Sequence, residues 1–156
     1  MITQDLVKAI RKQYRLSWNG THGISHFLRV RDNGLRLAER TGARPQLVEL
    51  FAFFHDSRRH NEGHDPGHGK RAVHLVRSLH GRFFELNPDD LALLEFACEF
   101  HTDGLLDGDV TVQTCWDADR LDLGRVGKRP SAHKLCTAAA KTPEMIEWAF
   151  RRSLSG

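Results

Sequence analysis

Pro45-Gln46-Leu47-Val48-Glu49-Leu50-Phe51-Ala52-Phe53-Phe54-His55-Asp56 decides the architecture. Proline suits the first turn of a helix, where its missing N–H has no intrahelical partner to lose. Leu47, Leu50, Phe51 and Phe54 then recur at helical spacing and form one apolar stripe. The stripe runs into a vicinal histidine and aspartate, and the polar stretch Ser57 to Gly63 that follows has no periodicity. The segment therefore reads as a buried helix ending on two metal-competent side chains.

The same pattern extends to both sides. A first helix is expected from about Gln4 to Leu16, with Leu6, Val7 and Ile10 on one face. A second is expected to start near Ser25 as its N-cap, to carry Phe27, Val30, Gly34, Leu37 and Ala38, and to stop at Thr41-Gly42. Downstream, Asp65-Pro66 reads as the cap of a fourth helix bearing Ala72, Leu75, Val76 and Leu79. Asn87-Pro88-Asp89-Asp90 opens a fifth, its acids favoured by the helix dipole, which runs toward His101. A sixth is expected over Val112 to Leu123, and two short helices near Ala132–Ala140 and Pro143–Arg152 end the chain. Strand-like alternation is confined to Val110-Thr111-Val112. The expected fold class is all-α, a compact helical bundle in one domain over residues 1–156.

Composition narrows the function. The chain has 156 residues, 40% apolar and 28% charged, which suits one globular domain. No apolar run approaches the roughly 20 residues of a membrane span, and the start of the chain lacks a signal-peptide pattern, so a cytoplasmic protein is expected. The net charge of +3 favours anionic small molecules, yet no long block of like charge suggests a nucleic-acid scaffold. The three cysteines form no CxxC pair and read as reduced thiols. Trp18, Trp116 and Trp148, with nine phenylalanines, read as core. Phosphate-loop, nucleophile-elbow and dinucleotide-binding motifs are absent.

Histidine is the outlier, at ten residues. His26 falls in the first turn of one helix, His55-Asp56 close the next, His68 opens another, His101 ends another, and Asp117 and Asp119 lie on the sixth. Ligands at helix ends can converge when short connections return the chain to the same end of a bundle. Nitrogen and carboxylate donors together suit Mn, Fe, Co, Ni or Zn. Asp117 and Asp119 point about 200° apart on a helix, so one of them binds and the other caps or orients. His22, His60 and His64 have metal-ligand spacing to their neighbours, but the glycines and proline around them fit substrate contact or a solvated loop better. His74, His80 and His133 read as surface residues.

The order His26-Phe27-Leu28-Arg29-Val30, then His55-Asp56, then Asp117-Ala118-Asp119-Arg120-Leu121 resembles the HD superfamily of metal-dependent phosphohydrolases. The likeness covers about residues 20–125. It implies His26, His55, Asp56 and a distal aspartate as ligands of a divalent transition metal. Asp119 is preferred for the last, because it directly precedes Arg-Leu. His68 and His101 occupy the stretches in which some HD proteins add two histidines for a second ion. The loop after the doublet implies phosphate contacts from Arg58 and Arg59, proton transfer by Glu62, and a catalytic role for Asp56 and Arg59 beside the metal. The basic stretch Arg120, Arg125, Lys128 and Arg129 adds candidate anion contacts. The implied activity is hydrolysis of a phosphoester in a nucleotide or other small phosphorylated metabolite. The same six ligands also resemble those of HD-fold di-iron oxygenases, which cleave C–C or C–P bonds with O₂. A third reading is a non-catalytic, metal-stabilised module that binds a nucleotide or a partner.

Overall fold

A computed structural model describes residues 2–155. Eight α-helices follow one another: α1 Gln4–Gln13, α2 Ile24–Thr41, α3 Pro45–Phe54, α4 His68–Leu79, α5 Pro88–Glu99, α6 Val110–Arg120, α7 Ala138–Lys141 and α8 Pro143–Leu154. Two 3₁₀ turns, Leu123–Val126 and Ala132–Lys134, lie between α6 and α7. Among the described residues there is no strand, only an isolated bridge between His80 and Phe84. The all-α expectation holds. No described helix is long and apolar enough to cross a membrane.

The apolar stripe of α3 is buried against α2, α5 and α6. Phe27, Phe51, Phe54, Leu94 and Trp116 are almost wholly removed from solvent in this main core. Each such side chain contributes roughly 1.5–3 kcal/mol by leaving water. The Trp116 indole N–H donates to the Ala97 carbonyl at 3.0 Å, so its one polar atom is satisfied. A smaller cluster, Leu37, Leu121, Leu135, Met145 and Ala149, holds the C-terminal segment on α2 and the end of α6.

Several helix ends differ from the sequence expectation, each for a local reason. The first helix stops at Gln13 because Tyr14 turns extended, packs edge-on to Trp18 and Phe27, and donates its hydroxyl to the His22 carbonyl at 2.7 Å. Gly23, not Ser25, caps α2: a Cβ at position 23 would lie 2.0 Å from the Trp18 carbonyl oxygen, a close approach that only glycine permits. Gly67 takes the N-cap of α4, while the Asp65 carboxylate accepts from the His60 N–H and from Arg71 instead. Val110-Thr111-Val112 is the first turn of α6, capped by Asp109 on the Thr111 N–H at 2.7 Å. The α6 helix ends at Arg120, short of Leu123. The expected helix over Ala132–Ala140 is broken because the Asp117 carboxylate accepts the N–H groups of Cys136 and Thr137 and the Thr137 hydroxyl.

Candidate metal centre

Six side chains from five helix ends meet in the interior. His26 sits in the first turn of α2, His55 and Asp56 just past α3, His68 at the start of α4, His101 two residues past α5, and Asp119 in the last turn of α6. Their donor atoms form two groups within which all atoms lie inside 4.8 Å: His26, His55, Asp56 and Asp119, and then Asp56, His68 and His101. All are buried except Asp119, whose side chain keeps 14% of its surface exposed.

Asp56 belongs to both groups through different oxygens. Its Oδ2 lies 3.3 Å from His26 Nε2 and 3.5 Å from His55 Nε2. Its Oδ1 lies 3.1 Å from His68 Nε2 and 3.3 Å from His101 Nε2. Asp119 Oδ1 stands 3.2 Å from His26 Nε2 and 3.3 Å from His55 Nε2. It is buried and has no hydrogen-bond partner in this structure.

The second nitrogen of each ring sets the chemistry. His55 Nδ1 donates to the Phe51 and Ala52 carbonyls, His68 Nδ1 to the Asp65 carbonyl, and His101 Nδ1 to the Cys98 carbonyl, at 2.6–3.1 Å. A carbonyl only accepts, so each Nδ1 carries a proton and each ring turns its Nε2 inward. His68 and His101 Nε2 are 2.9 Å apart, and His26 and His55 Nε2 are 3.0 Å apart. Two ring nitrogens facing each other at that distance need a proton or a metal cation between them. With Asp119 Oδ1 unpartnered beside them, the donor set fits a divalent transition metal.

In the metal-free protein a proton takes part of that role. Burial and Arg125 act to lower the His26 pKa, but Asp119, Asp122 and Asp56 outweigh them and raise it to about 9. Burial acts to raise the Asp56 and Asp119 carboxyls, yet the surrounding imidazoles, His55 foremost, hold both well below the usual carboxylate range.

Gly69 permits this convergence. A Cβ there would lie 2.5 Å from the Glu99 carbonyl oxygen and 2.7 Å from that of Cys98. Only glycine lets the start of α4 press onto the end of α5, which brings His68 to His101.

Sequence reasoning missed Asp122. This buried carboxylate accepts from His26 Nδ1 at 2.6 Å and from Arg29 Nε at 2.7 Å, so it orients a candidate ligand from behind. A signal was present: His26 and Arg29, like Asp119 and Asp122, are three residues apart and share a face. His22 is buried rather than in a solvated loop, with Nδ1 2.8 Å from Glu62 Oε1. Burial pushes its pKa down against the pull of Asp56 and Glu62.

The remaining candidates divide. Arg59 donates Nε to Asp56 Oδ1 at 3.2 Å and Nη1 to the Gly63 carbonyl at 3.0 Å, bracing the loop on the cluster. Glu62 stands half-exposed at its rim. Arg58 is not brought to the cluster; its charged neighbours are Arg15 and Arg71. Arg120 turns away from Asp119, as adjacent helical residues must, and donates to the Lys134 carbonyl and Cys136 Sγ. Lys128 is exposed beyond the first 3₁₀ turn, and within the basic stretch it is Arg125 that pairs with Asp119, its Nη2 4.0 Å from Oδ1. Asp117 pins the C-terminal segment, leaving Asp119 to face the histidines. Cys98, Cys115 and Cys136 are free thiols, the first two buried.

The backbone superposes on a crystal structure from an uncultured Thermotogales bacterium, a protein described as a predicted HD superfamily hydrolase. The TM-score is 0.72 at 23% identity, over 97% of this chain and 87% of that one. This chain has the HD fold. No protein-family model and no curated protein matches it significantly. The donors meet where the helix ends of the bundle converge.

Proposed function

We propose that this protein is a metal-dependent phosphohydrolase acting on a nucleotide or another small phosphorylated compound. The observation that carries the proposal is the inward turn of His26, His55, His68 and His101 Nε2 around Asp56 and Asp119. His26, His55, Asp119 and Asp56 Oδ2 would hold one ion; His68, His101 and Asp56 Oδ1 would hold a second. A divalent ion held there supplies Lewis-acid activation of water and of a phosphoryl group.

The chain's own groups complete the site. Asp56 holds donors of both groups in register, and Arg59 fixes Asp56 through its Nε. Glu62, braced by His22 and half-exposed, is placed to accept or return a proton at the rim. A cleft of about 480 Å³ lined by Arg59, Lys70 and His68 reaches the cluster from one side. Asp65, Glu99 and Asp103 also line it, so Arg59 and Lys70 are the groups in it that would meet a phosphoryl oxygen. The hydrolase description of the Thermotogales protein agrees with this reading.

The test is a screen of nucleotides, sugar phosphates and aryl phosphates with Mn, Co, Ni, Mg and Zn. Asp56→Asn keeps the shape of the side chain but removes the charge, and is expected to lose both ions and nearly all turnover. Full metal content and activity in that variant would refute the assignment. The donor set of four histidines and two carboxylates also favours a second reading, di-iron oxygenase. Oxygen consumption with iron, with no phosphoester turned over by any metal, would establish that reading instead.

A further inference from the structure

Asp122 ties His26 to Arg29, and Arg29 leads to a second cleft. This cleft, of about 510 Å³, lies between the start of α2 and the 3₁₀ turn Leu123–Val126. Asn19, Thr21, Ser25, Arg29, Arg125 and Ser153 supply its polar side chains, and no acidic side chain lines it.

Both arginines are underused. Arg29 is 8% exposed and spends only its Nε, on Asp122. Its two Nη groups have no hydrogen-bond partner among the described residues. Arg125 donates Nη1 to the Asp122 carbonyl at 2.6 Å, while its Nε is buried with no partner. The buried Arg125 Nε is costly to leave unmatched, and the Arg29 Nη groups are free at a residue that lines the cleft, so a ligand rich in acceptors fits where a donor does not. The first turn of α2, to which Ser25 belongs, has no side-chain cap and adds the positive end of the helix dipole. A tetrahedral oxyanion satisfies two guanidinium forks at once.

The geometry points to a second oxyanion subsite in this cleft, which takes a phosphoryl group other than the one at the donor cluster. Arg125 spans the two, lining the cleft while its Nη2 lies 4.0 Å from Asp119 Oδ1. Resting on the phosphohydrolase reading, the inference is that the substrate carries two phosphoryl groups. A free phosphate held beside the substrate would use the same chemistry.

The test titrates inorganic pyrophosphate into the metal-loaded protein at fixed ionic strength. Ser25→Asp puts a negative charge into the cleft at a helix start where acids are well tolerated; Thr21→Glu does the same from an exposed position. Each is expected to weaken pyrophosphate binding about tenfold or more, at unchanged metal content, while the remote Lys8→Glu leaves it unchanged. Equal affinity in wild type and both cleft variants overturns the subsite. The kcat/KM ratio for adenosine diphosphate over adenosine monophosphate then separates the sources. A selective loss on the diphosphate supports the substrate's second phosphoryl group; an equal loss on both overturns that part and assigns the cleft to free phosphate. If no phosphoester of the wider screen turns over but the pyrophosphate result holds, the subsite stands and the hydrolase reading fails.

Discussion

Gly69→Ala is the sharpest probe of the two-group donor arrangement. The added Cβ would meet the Glu99 oxygen at 2.5 Å and the Cys98 oxygen at 2.7 Å, where ordinary contact begins at 3.4 Å. The start of α4 must therefore retreat by about 0.7–0.9 Å, because both obstacles are backbone and cannot rotate away. His68, the preceding residue, moves with it. The Cys98 oxygen is also the acceptor that orients His101, at 2.6 Å, so the clash strains both histidines of the second group. Metal–ligand distances tolerate only about 0.2 Å, several times less than this retreat. Elemental analysis of the purified variant should find close to one ion where the wild type holds close to two, with the His26–His55 group still loaded. Overpacking adds a loss of about 1–3 kcal/mol, seen as a lower melting temperature in chelator. Lys70→Ala, at an exposed neighbouring position, serves as the control. Two tightly held ions and an unchanged melting curve in Gly69→Ala would refute the argument.

Two further perturbations test the electrostatics. Because His26 has a folded pKa raised from 6.5 to about 9, it stabilises the metal-free protein fully below pH 6.5 and progressively less as pH rises to 9. Melting in chelator should therefore fall across that window, and metal uptake should release a proton there; a flat profile and proton-free uptake would contradict the His26 assignment. Asp122→Asn removes the charge behind His26 and is expected to weaken metal binding about 10–100-fold, as read by competition with a chelator; unchanged affinity would leave Asp122 as a structural anchor for Arg29 alone.

The fold was legible because the stripes of α1, α2 and α4 are strongly periodic, while α3 is apolar nearly all round and Val48, Ala52 and Phe53 are buried beside its expected stripe. His26, His55, Asp56, His68, His101 and Asp119 were legible as candidates because they recur at helix ends in a recognisable order. What escaped was set by approach between distant segments. Gly23 displaced Ser25 as the cap through a contact with Trp18, and Tyr14 left α1 early to reach His22. Arg120 and Arg125 look alike in sequence, yet one turn of backbone past Asp119 sends the first to the C-terminal segment and the second to the cluster. Gly69 gave no local sign of its part, since its neighbours in space lie thirty residues away.

The carbonyls that orient His55 and His101 belong to the last turns of α3 and α5. A helix leaves its final carbonyls without backbone donors, and here the imidazole N–H groups supply them. Each of these histidines is thus also a stopper that keeps its helix from fraying. Exchanging either for alanine removes a candidate ligand and uncaps a helix in one stroke, about 0.5–1.5 kcal/mol for the lost bond alone. The stability of such a variant will lie below that of the wild type stripped by chelation, and the gap between them measures the helix end, not the metal.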